Sequence, residues 1–139
     1  MTSRGRCLLV LVIAAVSLSC PGSRSDTIVI GSKNFTEQVL LGEILATLIE
    51  SRTSLKVDRR FDLGGTFVCH KALTAGELDL YVEYTGTALS AILSERPEND
   101  PDAVYRKVAA EYARRYDLIW LPPLGFNNTF AIVVRSEDA

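Results

Sequence analysis

The sequence predicts an α/β fold, a mostly parallel sheet flanked by helices. Three observations carry this. A short apolar run followed at once by a tight turn and a helical pattern occurs three times at short spacing, the signature of βα units. The first run, residues 27–31, is nearly all apolar instead of alternating, as in a strand covered on both faces of a parallel sheet. The 139 residues are 47% hydrophobic and 23% charged, which suits one globular domain.

The elements follow in chain order. Arg4 and Arg6 precede an apolar run from Cys7 to Leu18, followed by small residues. This is the layout of a secretory signal peptide, and its apolar core is short of the roughly 20 residues that a spanning helix needs. Residues 1–20 are therefore expected to be a leader and 21–26 a short tether. Val16-Ser17-Leu18-Ser19-Cys20 resembles a bacterial lipoprotein box, with Ser17 where such boxes usually hold Leu. In such a box Cys20 is acylated and anchors the chain to a membrane; an ordinary signal-peptidase site is the alternative. Loss of the leader and lipidation of Cys20 would leave Cys69 alone, so no internal disulfide is expected.

Strand 27–31 turns at Gly31 into a helix, with Asn34 and Glu37 at capping-box spacing and Asn34 as the expected N-cap. Leu40, Ile44 and Leu48 recur every four residues and are expected to pack on the sheet, with Gly42 as a hint of close helix packing. Leu55 to Phe61 reads as a second strand. Gly64 and Gly65 permit a sharp turn, Thr66 is a candidate cap, and a helix is expected from Phe67 to Ala75. A third strand, 78–82, leads through Glu83-Tyr84-Thr85-Gly86-Thr87 into a helix ending near Leu93. After a polar loop at 94–101, Asp100 or Asp102 starts a helix over Ala103 to Tyr116 with Val104, Val108 and Tyr112 on one face. Short strands are expected at Leu118–Leu121 and Thr129–Arg135.

In open α/β sheets, ligands bind at the carboxyl ends of the strands. The turns there collect Lys33, Gln38, Thr66, Tyr84 and Thr87: a cation, hydroxyl and amide groups, and an aromatic face. Backbone N–H groups at the first helix N-terminus favour an anionic group, and Lys33 adds a full charge beside them. Tyr84, directly after a buried strand, is read as a ligand-facing ring, with a core position as the alternative. An aromatic face suits a quaternary ammonium through cation–π attraction of roughly 0.5–2 kcal/mol per ring. A zwitterion fits both features.

Catalytic readings find little support. The Gly31 turn lacks the Gly-Lys-Ser/Thr ending of a nucleotide P-loop, and Gly64-Gly65 lacks the other glycines of a dinucleotide fingerprint. Cys69 and His70 are adjacent on a helix and point about 100° apart, which prevents a nucleophile–base pair. His70 has no accompanying metal-ligand cluster, so neither metal nor cofactor is expected. Asp79 and Glu83 are read as solvated or capping carboxylates. A net charge of -2, with no basic run beyond the first residues, gives no sign of a nucleic-acid partner.

Gly31 to Gln38, Leu63-Gly64-Gly65-Thr66, Ala75 to Tyr81, Glu83-Tyr84-Thr85-Gly86-Thr87 and Leu124 to Thr129 together resemble the glycine betaine/choline (osmoprotectant) substrate-binding proteins of ABC importers. The likeness runs over about residues 27–135. It implies a two-lobed, type II periplasmic-binding-protein fold, of which 27–135 is the first lobe up to the hinge and the second lobe is absent. It also implies an exported protein that captures quaternary ammonium solutes such as glycine betaine, choline or carnitine for a permease and its ATPase.

By the same resemblance Tyr84 matches a cage Tyr, and Phe130 falls where the family often has a second one. Asn128 stands where some members place an acidic residue. Lys33, Gln38 and Thr87 match positions that contact ligand in different members, and Phe67 sits where members differ in polarity with substrate preference. Family members are about twice as long, so half of the cage is expected to lie outside these residues. Weak or absent binding by this chain alone follows. The alternatives are a truncated or split fragment without independent ligand binding and, least supported, an enzyme.

Overall fold

β1 (Thr27–Gly31) is the central strand, built from the β-branched residues Ile28, Val29 and Ile30 in a computed structural model that describes residues 26–128 and 132–138. β2 (Lys56–Arg60) pairs with it in parallel, in register from Thr27↔Lys56 to Gly31↔Arg60. On the other edge of β1 the Asp79 and Leu80 N–H groups donate to the Val29 carbonyl, and Gly31 N–H donates to the Leu80 carbonyl at 2.9 Å. The third strand expected at 78–82 is thus reduced to one parallel bridge, Ile30↔Leu80. The Asp79 carboxylate accepts the Val29 N–H at 2.6 Å, filling with a side chain the place of a backbone acceptor.

α1 (Thr36–Arg52) crosses over between β1 and β2. It corrects two expectations. Its N-cap is Phe35, one residue beyond Asn34: the Phe35 carbonyl accepts the Gln38 and Val39 N–H groups at 2.9 and 3.2 Å, while the Asn34 N–H bonds the Gly64 carbonyl at 3.0 Å. Its buried face is Gln38, Gly42 and Ala46, while Leu40, Ile44 and Leu48 are 58%, 52% and 48% exposed. Both stripes repeat every four residues, and apolar side chains surround this helix, so the pattern did not distinguish them. Close approach decides: a Cβ on Gly42 would lie 2.7 Å from the Phe61 ring, so only the small-residue face can lie this near the end of β2.

α2 (Thr66–Thr74) begins after Gly65, which holds the N-cap position; Thr66 is the first helical residue and makes no capping bond. α3 (Thr85–Thr87) runs without a break into a π-helical turn, Ala88–Ile92, where an ordinary helix was expected. Leu93 N–H reaches back to the Ala88 carbonyl at 3.0 Å. The wider turn brings residues five apart to one face, and Ala88, Leu89 and Leu93 are buried together. They meet Val104, Val108 and Tyr112 of α4 (Pro101–Tyr116), the stripe read from the sequence. Asp100 caps α4 through the Asp102 and Ala103 N–H groups at 3.0 and 3.2 Å, and Pro101 fits its first turn.

Neither late strand is present among the described residues. Leu118 and Trp120 pack against the α4 cluster, and the Tyr105 hydroxyl donates to the Trp120 carbonyl at 3.4 Å. Residues 132–135 adopt no strand, with Ile132 and Val133 95% and 90% exposed. A strand exists by pairing, and no described strand runs alongside either segment. The expected leader at 1–20 with Cys20, most of the expected tether, and Phe130 lie outside the described residues. No described helix is long and apolar enough to cross a membrane.

Candidate functional site

The turns after β1, β2 and the 78–80 segment converge, as their shared parallel direction requires. The first two are stitched by Ser32: its carbonyl accepts from Leu63 N–H at 3.1 Å and its hydroxyl from Asp62 N–H at 3.0 Å. The first and third are joined by an ion pair between Lys33 and Glu83, with side chains 2% and 4% exposed. Charges this deep persist only when paired. The Lys33 ammonium also lies over the Tyr84 ring, 4.5 Å from its centroid, and 5.5 Å from that of Phe35. Glu83 further accepts the Tyr84 backbone N–H at 2.8 Å. The solvated-carboxylate reading of Glu83 is corrected: it is the buried counter-ion of Lys33.

A second cluster holds the other end of the Tyr84 ring. Its hydroxyl donates to Glu37 Oε1 at 2.5 Å. The Asn128 amide donates to Glu37 Oε2 at 3.0 Å and to the Tyr84 hydroxyl at 3.1 Å. Burial, and then the Glu37 carboxylate, push the Tyr84 hydroxyl above its ordinary pKa, so it stays a neutral donor. Gln38, beside Glu37 in the first turn of α1, is 1% exposed and near enough to act on the Tyr84 hydroxyl. Yet neither atom of its amide has a hydrogen-bond partner among the described residues. The N-terminus of α1 has no side-chain cap.

Of the residues singled out in the sequence, Lys33, Gln38, Tyr84 and Asn128 are brought together. Thr66 and Thr87 are half-buried in the neighbouring turns and make no side-chain hydrogen bond to this group. Phe67 is 66% exposed and lines a groove with Arg60, Lys71 and Leu78, whose walls include none of those four residues. Phe130 lies outside the described residues. Sequence reasoning missed Phe35, Glu37 and Glu83. A signal existed for Glu83: the parallel register Ile30↔Leu80, extended by three residues, sets Lys33 opposite Glu83.

Cys69 is fully buried, and burial raises its thiol pKa. The His70 ring stands edge-on to Tyr112 and Tyr116, with centroids 5.4 and 4.7 Å away. Both are packing residues. Among the described residues no group of three or more His, Cys, Asp or Glu is placed to hold a metal ion. The arrangement brings together a clamped aromatic ring, a carboxylate at its hydroxyl end and a buried amide without a hydrogen-bond partner among the described residues.

Comparison with known proteins decides the family. Residues 26–139 match the model of the substrate binding domain of ABC-type glycine betaine transport systems. The chain belongs to this family. Its relatives include the glycine betaine-binding protein YehZ of Escherichia coli, 38% identical over 131 residues that make up 93% of this chain and 42% of YehZ. The carnitine transport binding protein OpuCC of Listeria monocytogenes is 38% identical over 85% of this chain and 39% of its own length. The ergothioneine transport permease/ergothioneine binding protein EgtU of Helicobacter pylori is 38% identical over 81% of this chain and 20% of that protein.

Among solved structures, apo YehZ superposes with a TM-score of 0.66 at 37% identity, over 74% of this chain and 37% of YehZ. A glycine betaine/carnitine/choline ABC transporter structure gives 0.67 at 27% identity, over 80% and 42%. The α/β fold with a parallel sheet is that of these binding proteins. The chain spans about two fifths of YehZ and OpuCC.

Proposed function

We propose that this chain is the first-lobe portion, over residues 27–135, of a substrate-binding protein that delivers quaternary ammonium osmoprotectants to an ABC permease and its ATPase. The single observation that carries the reading is the Tyr84 ring, held at one face by Lys33 and at its hydroxyl by Glu37 and Asn128. A ring so fixed offers its remaining face to an onium group, and the relatives that bind glycine betaine and carnitine support this ligand class. Gln38 and the uncapped start of α1 supply polar partners for the ligand's other end. Lys33, neutralised by Glu83, braces the ring instead of meeting the ligand's carboxylate. Thr66, Thr87 and Phe130 complete the proposed lining on this lobe, whereas Phe67 belongs to a separate groove.

Delivery to a permease fits export by the leader at residues 1–20 and a lipid anchor at Cys20, which holds the protein at the outer face of the cytoplasmic membrane. Mass spectrometry of the membrane-associated protein tests the anchor: acylated Cys20 supports it, and an unmodified N-terminus beyond residue 20 contradicts it.

A second reading is compatible with the shares of YehZ and OpuCC that the chain covers, about two fifths of each. In that reading it is a split or truncated fragment without independent binding. Calorimetric titration with glycine betaine and choline separates the two. Residues 27–135 by themselves are proposed to supply one wall of the cage and are expected to bind no tighter than millimolar, because each ring supplied from elsewhere takes its share of affinity with it. Addition of a second-lobe chain should restore micromolar affinity by closing the site. Micromolar affinity of this chain alone contradicts the half-site reading, and no restoration supports the fragment.

A further inference from the structure

The Lys33–Glu83 pair leaves the Tyr84 neighbourhood with no net charge from those two residues. Glu37 changes that balance. Its carboxylate is hydrogen-bonded only by neutral donors, the Tyr84 hydroxyl and the Asn128 amide, and no cation pairs with it among the described residues. Lys33 covers one face of the ring. A ligand on the opposite face would lie on the order of 6–7 Å from this carboxylate, close enough for a Coulombic attraction. Beside it, Gln38 is 1% exposed with both amide atoms unpartnered, a polar group that a bound molecule would satisfy.

We propose that Glu37 is a specificity-determining residue: its carboxylate makes the Tyr84 face select a cationic onium group over a neutral group of the same shape. The inference rests on the proposed ligand class and deepens it. A π-face alone discriminates weakly, because a tert-butyl group packs on a ring as well as a trimethylammonium does, losing only the cation–π part. A fixed carboxylate adds a Coulombic preference that shape cannot supply.

The test is an NMR titration of the chain at millimolar ligand, following the Tyr84 signals. One ligand is choline; the other is its neutral isostere, with carbon in place of the quaternary nitrogen. Wild type should prefer choline by about tenfold or more. Glu37→Gln keeps an acceptor for Tyr84 and removes the charge. It should lower choline affinity about tenfold and leave the isostere within about twofold. Glu37→Asp, which retains the charge, should retain the preference. An unchanged preference in Glu37→Gln, or an equal loss for both ligands, overturns the inference and leaves the ligand class standing. No response to choline in wild type, alone and with a second-lobe chain added, overturns both.

Discussion

Lys33 carries a full charge into a place where water does not reach, and Glu83 makes that possible. Breaking one side of such a pair leaves the other charge buried and uncompensated. Lys33→Met should therefore destabilise the chain by about 3–5 kcal/mol in urea denaturation. Adding Glu83→Gln to that variant should recover much of the loss, since the orphaned charge is then gone. Equal stability of the single and double variants would mean that the pair does not hold the turns together. Both residues were visible in the sequence as residues, but not as a pair. The missing link was the register of β1 against 78–80, which is set by long-range backbone pairing and not by local pattern.

The elements show the same division between local and long-range information. α4 was legible almost to its ends, because the Asp100 cap, Pro101 and the Val104–Val108–Tyr112 stripe are local signals that agree. α1 was legible as a helix, but its inward face was not. Two stripes of equal period compete on it, and Phe61, far along the chain, selects the one with Gly42. Gly42→Ala should push the helix from the Phe61 ring and cost about 1–3 kcal/mol. A thermal or chemical melt unchanged by this substitution would show that the contact has room to give.

The packing of α2 on α4 has a pH dependence of its own. Burial lowers the His70 pKa against Tyr112 and Tyr116, with a smaller opposing pull from Glu83. Its neutral form is therefore favoured in the folded state. The stability it contributes is complete above its ordinary pKa of about 6.5 and is lost as pH falls below that value towards the folded pKa. Denaturation midpoints of wild type should fall through this window more steeply than those of His70→Phe. Parallel pH profiles would contradict this.

At the scale of the whole molecule, two clusters of unequal kind meet at Tyr84. The sheet side, β1 with β2 and α1, carries the polar site. The side built from the π turn, α4 and Trp120 is apolar and supports the turn in which Tyr84 sits. The sequence motifs located the turns that converge and four of the residues that meet there. They did not reveal that Glu37 and Asn128, 91 residues apart, share one hydrogen-bonded cluster with the Tyr84 hydroxyl. Nor did alternation of apolar residues near the end of the chain amount to a strand without a neighbour to pair with.

The face of Tyr84 opposite Lys33 is proposed to receive a trimethylammonium group. Saturation transfer from the aromatic protons of the chain to the methyl protons of choline tests it most directly, in wild type and in Tyr84→Leu. Transfer is expected in wild type and its loss in Tyr84→Leu, with the fold intact by amide spectrum. Transfer retained in Tyr84→Leu, or absent from wild type at millimolar choline even with a second-lobe chain added, would contradict it.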